Sequence, residues 1–299
     1  MAMYVLKALA IIGMVLNVIL VVTQCKKNLA TEEGKENWEF GKKHVVYNAI
    51  VGLVANFFDT LGIGSYAPTS SAFKFGKSVH DIDIPGTLNV GDTFPVCLEA
   101  FLFYGFVDID MVTLILMIAA AVVGSIFGAR FVTGLNEQGV RLAMGIGLII
   151  LGIVMFCKWA GIGPFGVSGE LLKLTGGKLI AGVVINMILG ALMNVGVGLY
   201  APCMALCAIL GMNVGAAFPI MMGSCAMLMA FGNGPVFVKQ NKFDMVATLC
   251  QMFAGAVGVL LAYFIVKSLP IHILTILVVC VVFITGIKFL IDYKNNKAA

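Results

Sequence analysis

The chain has 299 residues, of which 61% are apolar and 11% charged, and its formal net charge is +4. A soluble domain averages roughly 45–50% apolar and about 25% charged residues, so a soluble fold is excluded, and the small positive excess lies in short loops that leave no footprint for nucleic acid. A spanning helix needs about 20 apolar residues to cross roughly 30 Å of hydrocarbon; with room for about seven to nine passes, the sequence predicts an all-α polytopic protein of the plasma membrane.

Residues 1–24 read as a first membrane span. Its apolar stretch, Met3 to Gln24, is too long for a signal-peptide core and has no small-x-small cleavage site. Residues 25–43 form a polar loop with five lysines and four glutamates, expected to be cytoplasmic, with an amphipathic turn near Trp38 and Phe40. Apolar helix follows from His44 to Leu61 and breaks at Gly62-Ile63-Gly64. The next piece, Ala67 to Gly76, is too short to span at 1.5 Å per residue. Spans at Ile84–Phe106, Met111–Val132 and Val140–Cys157 complete a first unit over 44–158. After a glycine-rich linker, 159–177, the pattern returns over 178–291. Lys178–Val195 breaks at Gly196-Val197-Gly198, a short piece covers 201–210, and spans lie near 214–236, 245–268 and 271–291. Residues 292–299 read as a cytoplasmic tail.

Sliding the sequence on itself by 134 positions places Gly62-x-Gly64-x-Tyr66-Ala67-Pro68 on Gly196-x-Gly198-x-Tyr200-Ala201-Pro202. Without a gap, Pro85 then meets Pro219, Asp110-Met111-Val112 meets Asp244-Met245-Val246, and Gly124 meets Gly258. Eighteen identities over positions 59–153 hold one register. The chain therefore reads as one extra helix followed by two homologous repeats. If helix and short piece make one span, the repeats are parallel and 13 of 19 Lys/Arg face the cytoplasm; if they form a re-entrant hairpin, the repeats are inverted and 14 of 19 do. Both orientations put the N-terminus outside. The short pieces cannot span, which favours the inverted arrangement with both tips meeting at mid-membrane.

Interrupted helices at matching places in two halves point to a transporter binding site, because broken backbone is tolerated in a bilayer only where it is buried or lines a cavity. A helix restarting after Gly64 or Gly198 presents unpaired N–H groups and the positive end of its dipole, which suits an oxyanion. Glycine allows close backbone approach. Gly62, Gly64, Ser65, Tyr66, Thr69, Thr87 and Asn89 are the substrate-binding candidates of the first half; Asn194, Gly196, Gly198, Tyr200 and Ser224 are those of the second, with Asn233 a further donor. Intramembrane carboxyls are functional candidates by default. Asp59 and Asp92 are assigned to proton coupling, with a helix-clamp role for Asp59 as the competing reading; Glu99 is expected to pair with a neighbour.

At these residues the sequence resembles the TauE/SafE family of sulfite and organosulfonate permeases, over Gly52 to Gly152 and more weakly over Gly182 to Gly286. The resemblance is carried by Asp59-Thr60-Leu61-Gly62-Ile63-Gly64 with Pro68, and by Gly86-Thr87-Leu88-Asn89. It implies ATP-independent, carrier-type transport of small sulfur-containing anions, often outward as in sulfite export. Ser65 thins the glycine run, Met193 stands where the first repeat has Asp59, and the second repeat lacks the Gly-Thr-x-Asn segment.

Other chemistries fit less well. The eight cysteines contain no Cys-x-x-Cys pair; Cys203 and Cys207 share a helix face by their spacing and read as packing residues. An intramembrane aspartyl protease needs a Gly-x-Gly-Asp context, and position 89 is Asn. Paired haem histidines and a Walker motif are missing from the sequence, so neither an enzyme nor a cofactor or metal is expected. A channel stays open as the alternative, since mid-membrane breaks also build selectivity filters. The partners expected are the small anion, the lipid bilayer and a second copy of the chain in a homodimer.

Overall fold

A computed structural model describes residues 2–104, 109–163, 169–196, 198–265 and 271–297. Fourteen α-helices follow in chain order: α1 Ala2–Asn28, α2 Glu32–Lys42, α3 Val45–Thr60, α4 Tyr66–Gly76, α5 Ile84–Gly91, α6 Thr93–Phe103, α7 Met111–Thr133, α8 Glu137–Ala160, α9 Gly176–Leu192, α10 Tyr200–Ile209, α11 Val214–Met227, α12 Gly234–Lys239, α13 Met245–Ile265 and α14 Ile271–Lys297. Among the described residues six helices are long and apolar enough to cross a membrane, by length and composition. The chain is an all-α polytopic membrane protein.

The polar 25–43 segment is mostly helix. Thr31 caps α2 by accepting the Gly34 amide, and Gly41 packs against Val246 of α13. The helix at the chain end continues through the expected tail to Lys297. Phe106, the predicted end of the third span, and Val197, inside the second break, lie outside the described residues, as do positions 164–168 of the linker.

Two helical hairpins organise the bundle. α4 doubles back along α3: the Tyr47 hydroxyl, near the start of α3, donates to Ala72 O near the end of α4 at 2.8 Å. In the same way the Lys178 ammonium at the start of α9 donates to Leu210 O just past α10 at 3.0 Å. The open ends of the two hairpins are anchored on different helices. The base of α3–α4 joins the start of α8, where Asp81 accepts Lys74 at 2.6 Å and Arg141 at 2.8 Å. The base of α9–α10 joins the start of α7, where the Asp110 amide donates to Leu172 O and Leu174 N donates to Thr113. Helix α8 begins just past the end of α7, so the two anchoring points are separated by the length of α7.

Small residues set the main helix pairs, α3 on α13, α7 on α9 and α8 on α14. A Cβ at Gly124 would fall on the Met187 carbonyl, one at Gly258 on the Leu53 carbonyl, and one at Gly145 on Leu290. Van der Waals approach of this kind is the main adhesive between helices where lipid removes the hydrophobic drive. Overpacking such a contact costs roughly 1–3 kcal/mol. Gly124→Ala and Gly258→Ala should each lower the melting temperature of the purified protein, whereas Gly177→Ala, which meets nothing within 4 Å, should leave it unchanged or raised.

Candidate functional site

The hairpin tips meet inside the bundle. Between them lies a small cavity of about 30 Å³, walled by Asp59, Gly64, Ser65, Tyr66 and Ala67 from the first tip and by Gly198, Leu199, Tyr200 and Ala201 from the second. Val96 of α6, Leu151 and Met155 of α8, Met193, Cys225 of α11 and Met229 close it. No Lys, Arg or His side chain is among these wall residues.

Local sequence explains the tips. Gly62 and Gly64 have φ of +84° and +99°, and Gly196 has +90°, a region that L side chains enter only with strain. Asp59 reaches across the first break and accepts the Ser65 amide at 2.7 Å. Lys158 of α8 donates to Gly62 O at 2.9 Å. Proline at the third position of α4 and of α10 removes one N–H that would need a partner. The amides of Tyr66 and Ala67, and of Tyr200 and Ala201, have no hydrogen-bond acceptor among the described residues. All four residues line the cavity, so two helix N-termini converge on one space.

Behind the wall sits a layer of buried polar groups. The Asp92 carboxylate accepts Asn56 at 3.1 Å, Gln251 at 3.3 Å and the Ser65 hydroxyl at 3.1 Å. Glu99 is bonded to Thr60 at 2.7 Å and accepts the Tyr200 hydroxyl at 2.8 Å. Tyr66 donates to Asn89 at 2.5 Å, and the Asn233 amide donates to the same oxygen. A π-helical turn over Leu228–Asn233 joins α11 to α12 and carries both Met229 and Asn233.

Of the residues singled out from sequence, Asp59, Gly64, Ser65, Tyr66, Gly198 and Tyr200 line the cavity. Asp92 and Asn89 stand one layer behind it, and Thr69 is beside Gln251 at 3.4 Å. Gly62 makes the turn, and Gly196 packs on Met144. Asn194 ties the second tip to α7 by donating to Ser125 O at 3.2 Å. Ser224 accepts the Asn186 amide at 3.0 Å. Thr87 lies away from the cavity, donating to Asp83 O and accepting the Asp244 amide. Sequence reasoning did not find Leu151, Met155, Met193 or Met229. Nothing in a methionine or leucine within an apolar helix marks it as a cavity wall.

Comparison of the chain with known protein families, with curated proteins and with solved structures returned no match.

The polar turn that Thr87 pins has its own electrostatics. Burial, then the nearby Asp244, pushes the Asp83 carboxyl up to about 6 from 3.8. A raised carboxyl favours the folded state below its ordinary value and destabilises it as pH climbs from about 4 through about 6. Removing that charge by Asp83→Asn should therefore raise the melting temperature at pH 7.5, by the equivalent of about 1–3 kcal/mol, and leave it nearly unchanged at pH 4. A thermal melt series over pH 4–8 checks this.

Proposed function

We propose that the protein is a secondary, ATP-independent membrane transporter for small anions, with its substrate held between the two hairpin tips. The observation that carries the reading is that four amides with no acceptor among the described residues, those of Tyr66, Ala67, Tyr200 and Ala201, belong to residues that line one cavity. Each helix N-terminus contributes roughly +0.5 of a charge, so an anion can be held without a cation buried in the bilayer. The TauE/SafE resemblance, which rests on the motif residues alone, narrows the class to sulfite or organosulfonate-type sulfur oxyanions. Uptake that saturates and shows counterflow distinguishes this carrier from an anion channel.

The architecture that goes with this reading is a pair of inverted repeats with re-entrant hairpins. Its support is reciprocal packing: α3 of the first unit lies on α13 of the second, and α9 of the second lies on α7 of the first. Asp110 and Asp244, 134 positions apart, each cap the helix that follows, accepting Thr113 N at 2.9 Å and Ala247 N at 2.8 Å. Inversion gives a carrier two equivalent gates around a fixed site. The carboxyls Asp59 and Asp92, packed around the first tip, are our candidates for proton coupling.

Gly198→Ala is the clean test of the shared site. The added methyl would make ordinary contacts with Leu151 at 3.5 Å and Tyr66 at 3.7 Å, so folding should survive while the cavity narrows. Gly64→Ala is a poor test, because φ of +99° strains any side chain. A lost charge-assisted hydrogen bond is worth roughly 1.5–3 kcal/mol, so sulfite or thiosulfate should bind about 10- to 100-fold more weakly to Gly198→Ala, read by isothermal titration on protein of normal melting temperature. Unchanged affinity for every anion that binds the wild type sinks the shared site.

A further inference from the structure

Hydrogen accounting around Glu99 leads past Asp59 and Asp92. The Thr60 hydroxyl has a single proton but two oxygen neighbours that could accept it, Asn56 O at 2.9 Å and Glu99 Oε1 at 2.7 Å. It can serve one of them. Both contacts are satisfied together only when Glu99 itself carries a proton on Oε1 and donates it to Thr60, which then donates to Asn56 O. The other carboxyl oxygen, Oε2, accepts the Tyr200 hydroxyl from the tip of the second hairpin. Glu99 thus joins the first tip, through Thr60, to the second, through Tyr200, and it is fully buried.

The matching position of the second repeat is Asn233, in the register of 134, and its amide takes part in the tie that holds Tyr66 through Asn89. Each tip tyrosine is therefore fastened near the equivalent position of the opposite repeat. Of these two tyrosine ties, only the one that holds Tyr200 contains a carboxyl.

We propose that Glu99 is the residue through which a proton controls the second hairpin: protonated on Oε1 it holds Tyr200 weakly, and ionised it holds Tyr200 tightly. The inference rests on the carrier reading above for its use in transport, though not for its geometry. A hydrogen bond to an ionised acceptor is roughly twice as strong as a neutral one, so losing the proton tightens the link between the tips. The titratable groups that face Glu99 from the neighbouring elements are Asp59 of α3, Asp92 at the α5–α6 junction, Tyr200 of α10 and Cys225 of α11. On the flanking helices Lys7 of α1 lies over the Phe101 ring at 5.4 Å and Tyr263 of α13 stands edge-on to Phe103. None of these donates a cation to the carboxyl.

Hydrogen exchange read by mass spectrometry on peptides covering Tyr200–Ile209, corrected for intrinsic rates and with no anion added, tests this directly. In the wild type, exchange should speed up by about tenfold between pH 10 and pH 5, the difference between a charged and a neutral tie. Glu99→Gln places a donor toward Thr60 and an acceptor toward Tyr200, as the protonated acid does, and should exchange at the fast rate at every pH. Tyr200→Phe keeps the carboxyl but cuts the tie, and should also be fast throughout. Thr60→Val removes a hydroxyl that bonds the ionised carboxyl more strongly than the protonated one and should move the transition to higher pH, a shift that a purely structural role would not produce. Wild-type pH dependence in Glu99→Gln, or its disappearance in Asp59→Asn instead, overturns the proposal. Because no anion is present, failure of sulfite to bind would count against the substrate class and leave this result standing.

Discussion

An amide or carbonyl left unpaired in an apolar interior costs several kcal/mol, and the two helix breaks are where this chain meets that constraint. The first break answers it with long-range help. Asp59 takes the Ser65 amide and Lys158 reaches the Gly62 carbonyl from α8, while Gly62 N and Ile63 N turn back to Asp59 O and Phe58 O. The second is tied down by side-chain amide: Asn194 donates to Ser125 O, Gly190 O and Ala191 O. The residues whose amides have no acceptor among the described residues line the same cavity at both tips, and the rest of the bundle keeps those tips in register.

The two halves are alike in framework and unlike in charge. The base of the first hairpin is closed by ion pairs, with Lys74 bridging Asp81 and Asp292 and lying over Phe289 at 4.3 Å. In the register of 134, Lys74 corresponds to Ala208 and Asp81 to Gly215. The base of the second hairpin is held instead by main-chain bonds around Leu171, Gly211 and Asn213, by Lys178 on a carbonyl, and by one long ion pair of the exposed Lys173 with Asp110 at 3.7 Å. The buried carboxyls around the tips, Asp59, Asp92 and Glu99, all belong to the first repeat, whereas the buried Asp244 of the second caps α13 away from the tips. The asymmetry implies that the second hairpin has fewer electrostatic restraints of its own.

The spans and the breaks were legible in the sequence because they rest on local signals: apolar runs of spanning length, and a Gly-x-Gly-x-Tyr-Ala-Pro motif that occurs twice. The predicted span from Ile84 divides at Asp92 into α5 and α6, and the polar segment after α1 folds as a helix against α13. Neither feature leaves a mark in hydropathy. Thr87 looked like a ligand donor by its neighbours in sequence, yet its hydroxyl is spent on Asp83 O and Asp244 N. Glu99 was hard to weigh because its partners are 39 and 101 positions away. Such pairings depend on how helices are placed, which local sequence does not encode.

The account depends most on the two hairpins entering from opposite faces of the membrane. Single cysteines placed at Lys77 and at Gly177, which are exposed at the bases of the first and second hairpins, report this when Cys157, Cys250 and Cys280 are first replaced by serine. In sealed vesicles of known orientation, an impermeant maleimide should label one position from the outside and the other only after the membrane is opened. Labelling of both positions from the same face would contradict the inverted arrangement and, with it, a single cavity shared by the two tips.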